Sequence, residues 1–113
     1  MKVTIPAVET NLDEQFVKDI MVTAVEGGIN YWACLTSVER DADLNVLSIE
    51  GHDAEDEETE FKADLSTILL GLQMCVTEGR YVDAIRNSDA SELDADDADL
   101  ILQMGVFGEV VYG

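Results

Sequence analysis

The sequence predicts an α+β domain in which a three-stranded antiparallel meander packs against two to three helices. Three observations carry that prediction. Residues 12–26 place apolar side chains at helical spacing, residues 30–63 hold three short β-prone runs separated by polar turns, and residues 64–104 return to helical spacing. The chain of 113 residues is read as one domain, 1–113. A chain of that length hides roughly two thirds of its unfolded surface, enough for a core without metal or disulfide.

Residues 2–8, KVTIPAV, are expected to form a short edge strand, cut off at Pro6 because proline has no N–H for the ladder. In the helix that follows, Leu12, Phe16, Val17, Ile20, Met21, Ala24 and Val25 fall on one stripe. Asn11 is the expected N-cap, with Glu14 three residues on as in a capping box. Gly27 is expected to take the left-handed conformation that stops a helix, and Gly28 to free the exit angle. Tyr31 and Trp32 then open a strand over residues 30–39. Trp32 is the single tryptophan, and packing between helix and sheet is its first reading. In the second reading Gly27, Gly28, Asn30, Tyr31 and Trp32 line a small-ligand cleft beside exposed Gly-Gly backbone.

Residues 40–45 read as a turn, 46–52 as a second strand with Leu47 and Ile49 on one face, 53–58 as a charged turn, and 58–63 as a third strand. A helix over 64–78, capped by Asp64 or Ser66, is apolar round most of its circumference, which makes it central. Gly79 ends it, and residues 81–87 form a short turn or helix. A third helix starts at Ser91 or Asp94, runs through Leu100, Ile101 and Met104, and is broken by Gly105 and Gly108. The apolar end, residues 106–112, is expected to dock on the core, with a short strand as one option.

Charge excludes more than any motif does. There are 25 acidic against six basic residues, for a formal net charge of −19. Non-specific binding to nucleic acid or to an anionic membrane requires cationic patches that this composition does not supply. The acid excess lies on nearly every polar stretch, so adaptation to very high salt explains it first, since screening there shortens the Debye length to ~3 Å. Nucleic-acid mimicry and plain solubility are the other two explanations. The start, MKVTIPAVET, lacks the apolar run of a signal peptide, and no stretch approaches the length of a membrane span; a cytoplasmic location is expected. Cys34 and Cys75 lie in apolar patterns without CxxC spacing and are expected as buried free thiols, with a disulfide as the alternative.

Each candidate for chemistry has a bland counterpart. Asp41, Asp43 and Asn45 match three positions of a calcium loop, but Val46 stands where glycine is needed and His52 where the bidentate glutamate belongs, so a polar turn is expected. His52, the one histidine, is expected exposed at a hairpin tip beside Asp53 and Glu55. Asp94, Asp96, Asp97 and Asp99 read as solvated carboxylates at a helix start, where the dipole favours negative charge. The chain has no nucleophile elbow and no phosphate loop. No catalytic residue, metal ligand or cofactor is therefore assigned.

Three segments together resemble a known group. EGGINYWACL (residues 26–35) directly follows an amphipathic helix, the hairpin LSIEGHDAEDEETEFKADL covers residues 47–65, and ADLILQMGVFGEVVYG closes the chain at 98–113. In this order they resemble a family of small, functionally uncharacterised proteins of bacteriophages and prophages, over roughly half of the chain. The resemblance implies a viral or mobile-element origin and an intracellular α+β domain; it implies no activity. The chain is more acidic than that family leads one to expect, which fits a halophilic host.

These readings converge on a non-enzymatic accessory protein of the host cytoplasm that binds another protein, and that dimerises through apolar segments such as residues 104–112. The first alternative is an acidic mimic of nucleic acid, using Asp53, Glu55, Asp56, Glu57 and Glu58 of the hairpin with Asp94, Asp96, Asp97 and Asp99 as one face. The second is a ligand-sequestering protein with a pocket at residues 27–32.

Overall fold

The computed structural model describes the backbone of residues 2–5 and 8–11, and residues 13–113 in full. Strands β1 (Lys2–Ile5) and β2 (Val8–Asn11) pair antiparallel as a hairpin of their own, with Lys2 opposite Asn11. The single edge strand expected over residues 2–8 is thus two strands; Pro6 and Leu12 lie outside the described residues. Asn11 is engaged in β2, so the helix cap passes to Asp13, whose carboxylate accepts the Gln15 N–H at 3.0 Å.

Helix α1 (Glu14–Thr23) buries Phe16, Val17, Ile20 and Met21, the expected stripe. It does not stop in a left-handed glycine. Residues Ala24–Gly28 continue as a π-helical turn, closed by the Ile29 N–H donating to the Ala24 carbonyl at 3.0 Å, and neither Gly27 nor Gly28 has positive φ. The use of Gly28 is space: a Cβ there would sit 2.8 Å from the Ala95 carbonyl oxygen. Tyr31 and Trp32 lie in a turn rather than in the strand they were expected to open, because strand pairing begins at Ala33.

The meander is β3 (Ala33–Arg40), β4 (Val46–Asp53) and β5 (Asp56–Asp64), in the order β3-β4-β5 and antiparallel throughout. In β4 the buried residues are Val46, Ile49 and Gly51; alternation holds from Ile49 to Gly51, but Val46 takes the inward place that alternation predicted for Leu47. A bulge is the reason: Glu39 faces Ser48 and Arg40 faces Val46, leaving Leu47 unpaired and turning Val46 inward. The β4–β5 tip is two residues, Ala54 and Glu55, with the Asp53 carboxylate accepting the Glu55 N–H at 2.7 Å. The acidic residues expected as a turn thus largely extend β5. Cys34 stands on the outer face of β3 and is exposed, a correction to its expected burial, while Cys75 is buried; both thiols are free.

Helix α2 (Leu65–Thr77) opens with a capping box: the Asp64 carboxylate accepts the Thr67 N–H at 3.0 Å, and the Thr67 hydroxyl receives the Asp64 N–H. Gly79, at φ +86°, closes it in a Schellman arrangement, with the Arg80 N–H reaching the Cys75 carbonyl at 2.9 Å. Helix α3 (Val82–Asn87) is one short turn pair. Helix α4 (Ala95–Phe107) starts in an Asp94–Asp97 capping box and ends at Gly108, φ +75°. Gly105 does not break it. Gly71 of α2 and Gly105 of α4 meet where the helices cross: a Cβ on Gly71 would overlap the Ile101 carbonyl oxygen, and one on Gly105 the Thr67 carbonyl oxygen. The core lies between this helix pair, α1 and the inner face of the meander, around Ile20, Ile49, Ile68, Leu72, Ile101 and Leu102. Among the described residues no helix is long and apolar enough to cross a membrane.

Candidate functional site

The polar part of the core lies in the middle of α4. Asp99 is 7% exposed and Gln103, one turn on, is fully buried. The Asp99 carboxylate accepts three hydrogen bonds from neutral donors: Trp32 Nε1 at 2.8 Å, the Tyr31 hydroxyl at 2.6 Å and Gln103 Nε2 at 2.9 Å. The expectation of a solvated carboxylate fails here because the π-helical turn brings residues 31 and 32 down onto α4, and the missing Cβ of Gly28 permits that approach. A buried carboxylate with fewer donors would be strongly disfavoured.

Gln103 ties down the chain end. Its Oε1 accepts the N–H groups of Val111 and Tyr112, each at 2.9 Å, and its Nε2 donates to the Tyr112 carbonyl at 3.2 Å. The Tyr112 ring then stacks on Trp32, with centroids 4.6 Å apart and planes 4° from parallel; Phe61 and Phe107 flank the indole at 5.2 and 5.7 Å. Trp32 is 3% exposed, as its core reading expected. The terminal segment docks, as expected, but as an extended strap rather than a strand.

The third corner is the β4–β5 tip. The Tyr112 hydroxyl donates to Asp53 Oδ2 at 2.6 Å, and the Ala54 N–H donates to the Trp32 carbonyl at 2.8 Å. Tyr31, Trp32, Asp53, Ala54, Glu55, Tyr112 and Gly113 together line a cleft of about 240 Å³. Its titrations are coupled to its geometry. The Tyr31 hydroxyl is withdrawn from water against buried Asp99 and bonded to it, which raises the phenol to about 12, although the flank of its ring leaves the residue 58% exposed. The bond to Asp53 raises Tyr112 to about 12, and the same bond holds the Asp53 carboxyl below its usual range.

Of the residues singled out in the sequence, the cleft brings together Tyr31, Trp32, Asp53 and Glu55. Asp56 and Asp96 act on the two tyrosines through space. Gly28 is buried against α4, and Gly27, Asn30, Glu57 and Glu58 do not line the cleft. Asp94 and Asp97 are spent on capping α4. The Asp41 carboxylate accepts the N–H groups of Asp43 and Asn45 at 2.9 and 3.0 Å, serving the turn that the calcium-like spacing belongs to. His52 is half-buried in β4 rather than at the tip, its Nδ1 2.8 Å from the Asp53 carbonyl. Among the described residues no three His, Cys, Asp or Glu side chains are grouped to hold a metal ion. Asp99, Gln103 and Tyr112 carry the site; Asp99 was singled out only as a solvated acid of the candidate acidic face, and Gln103 and Tyr112 were not singled out as site residues. The available signal was two polar residues, 99 and 103, spaced one turn apart within an otherwise apolar helical run.

Compared with protein-family models, curated proteins and solved structures, the chain finds no match.

Proposed function

We infer that the chain is a non-enzymatic accessory protein, of viral or mobile-element origin, that binds another protein through the face where the 29–32 turn, the β4–β5 tip and the terminal strap meet. The observation that carries this reading is the composition of that face. Exposed Tyr31, Val110 and Val111 (58%, 51% and 50%) stand beside Asp53, Glu55 and Asp96, a mixture of aromatic, apolar and acidic groups suited to a basic partner. The origin rests on the likeness of three segments to phage and prophage proteins. Met104 is buried and Tyr112 is partly buried by its docking on the core, so self-association through residues 104–112 has chiefly Val110 and Val111 to work with.

Exposed carboxylates occur on α1, β3, β4, β5, α3 and α4, and at the end of α2. That spread supports a salt-adapted surface over a nucleic-acid mimic, which needs its charges arrayed on one face. Two experiments test the reading. Far-UV circular dichroism with size exclusion from low to multimolar potassium chloride should show a chain that is expanded in low salt and folds in high salt. Titration with a lysine-rich peptide, followed by amide chemical shifts, should perturb residues 31, 53–55 and 110–112 together. Shifts scattered over all acidic segments would refute the assigned surface.

A further inference from the structure

The meander ends in two edge strands, β3 and β5, and they are guarded differently. β5 carries Asp56, Glu57, Glu58, Glu60 and Asp64, with Lys62 its one base. A second β5 laid along it would set acid against acid. β3 carries no charge from Ala33 to Val38, and Glu39 and Arg40 at its end cancel. Every residue from Thr36 to Arg40 is exposed. Among the described residues no hydrogen bond from outside the β3–β4 ladder reaches the backbone of residues 34–39. Natural sheets guard such an edge with charge, proline or a covering segment, because unpaired N–H and C=O groups invite another strand. On β3 a bulge at Thr36 stands in for these, and it bends the strand without charging it.

Charge identifies the occupant of such an edge. A surface that meets a basic partner keeps its carboxylates, as the cleft does with Asp53 and Glu55. A strip without them is what contact with another acidic molecule requires, because two bodies of net charge −19 approach best where few like charges meet. A second copy of the chain is such a molecule. Two identical strands pair antiparallel about a two-fold axis, each offering the other the same row of donors and acceptors. Exposed Val38 lies within the paired stretch and adds apolar surface. We propose that β3 pairs antiparallel with β3 of a second copy, joining the two meanders into one six-stranded sheet with the helices of both copies on the same side. None of residues 34–40 lines the cleft, so this pairing is a contact apart from the partner-binding face and needs nothing from residues 104–112.

The test is sedimentation equilibrium of the full chain over a dilution series, in potassium chloride at concentrations where circular dichroism shows it folded. A monomer–dimer equilibrium is expected, with an association constant that rises with salt as repulsion between the copies is screened. Val38→Asp should weaken association by roughly tenfold or more, since it sets like charges along the paired edge. Leu70→Asp, the same change of charge at an exposed site on α2, should leave it within about twofold. Should Val38→Asp unfold, Ser37→Asp, at an exposed position of the same strand, should weaken association likewise. Hydrogen exchange read residue by residue should show alternate amides within 34–39 slowing as the chain is concentrated, because every second residue of β3 turns its N–H toward the new neighbour. A chain that stays monomeric over the whole series in molar salt overturns the proposal. So does a dimer that survives both β3 variants and is lost when Val110→Asp and Val111→Asp are combined, which places the contact on the terminal strap. Neither result bears on the partner-binding face, which the lysine-rich peptide tests separately.

Discussion

Substituting Gly71 or Gly105 by alanine separates two opposite expectations. Both glycines lie inside helices, α2 and α4, and Gly→Ala inside a helix ordinarily stabilises by about 0.5–1 kcal/mol. Here the added Cβ would overlap a backbone carbonyl oxygen of the facing helix, Ile101 from Gly71 and Thr67 from Gly105. A backbone atom cannot swing aside as a side chain does, so the two helices must move apart and loosen the packing of Ile68, Leu72, Ile101 and Leu102. Overpacking costs about 1–3 kcal/mol, and an overlap with backbone belongs to the upper part of that range, about 2–3 kcal/mol; after the propensity gain of about 0.5–1 kcal/mol, a net loss of about 1–2.5 kcal/mol is expected for either variant. In urea the midpoint should fall by roughly 0.5–1.25 M at unchanged slope, taking a slope of about 2 kcal/mol/M. The double variant should lose less than the sum, because one separation of the helices relieves both overlaps. Gly27→Ala is the internal control, since its Cβ would meet only the Ala95 Cβ at 3.9 Å, ordinary contact; it should be neutral or mildly stabilising. A Gly71→Ala protein as stable as the parent would refute the close crossing and with it the placement of α4.

Three further outcomes follow from the polar core and the thiols. Asp99→Asn replaces one acceptor oxygen by an NH₂ group facing the donors Trp32 Nε1, Tyr31 hydroxyl and Gln103 Nε2; a loss of about 1–3 kcal/mol is expected in thermal unfolding, and wild-type stability would mean the network does not form. The phenols of Tyr31 and Tyr112 keep their protons to about 12 in the folded chain against a reference of 10.0. Their contribution is therefore complete below pH 10 and is lost as pH rises from 10 through 12. Tyr81 is raised by burial as well, so tyrosinate absorbance of the folded protein should stay flat near pH 10, and a full titration there would contradict the docked strap. A thiol reagent should label exposed Cys34 rapidly and leave Cys75 unreacted until unfolding, because burial raises the Cys75 thiol to about 11 and denies access to it.

The outcome for individual elements shows where sequence reasoning reached its limit. The apolar stripe from Phe16 to Met21, the three-strand meander, the Asp64 and Asp94 caps, and the helix ends at Gly79 and Gly108 were legible, because each follows from side-chain period or from backbone chemistry within a few residues. Some misreadings were local, the β1–β2 hairpin and the cap at Asp13 among them, but those that bear on the site involve partners distant along the chain. Gly28 and Gly105 looked like breakers, since a glycine in sequence carries no sign of whether it frees a turn or makes room for another backbone. Leu47 yielded its inward place to Val46 through a bulge that only strand register reveals. Asp99 counted as one more surface acid until α4 was set beneath Trp32, and two of its three donors come from 67 and 68 residues away.

By itself, then, the sequence determined the fold class, the approximate places of the central helices and the meander strands, and an acid excess that excludes cationic partner-binding patches, because propensity, period and charge are local or additive. The tertiary structure alone decided which acid is buried, which glycines carry helix contacts and that the chain end closes an aromatic cleft. Those depend on which surfaces meet, and the free energy of a buried carboxylate or of a helix crossing exists only once both sides are in place.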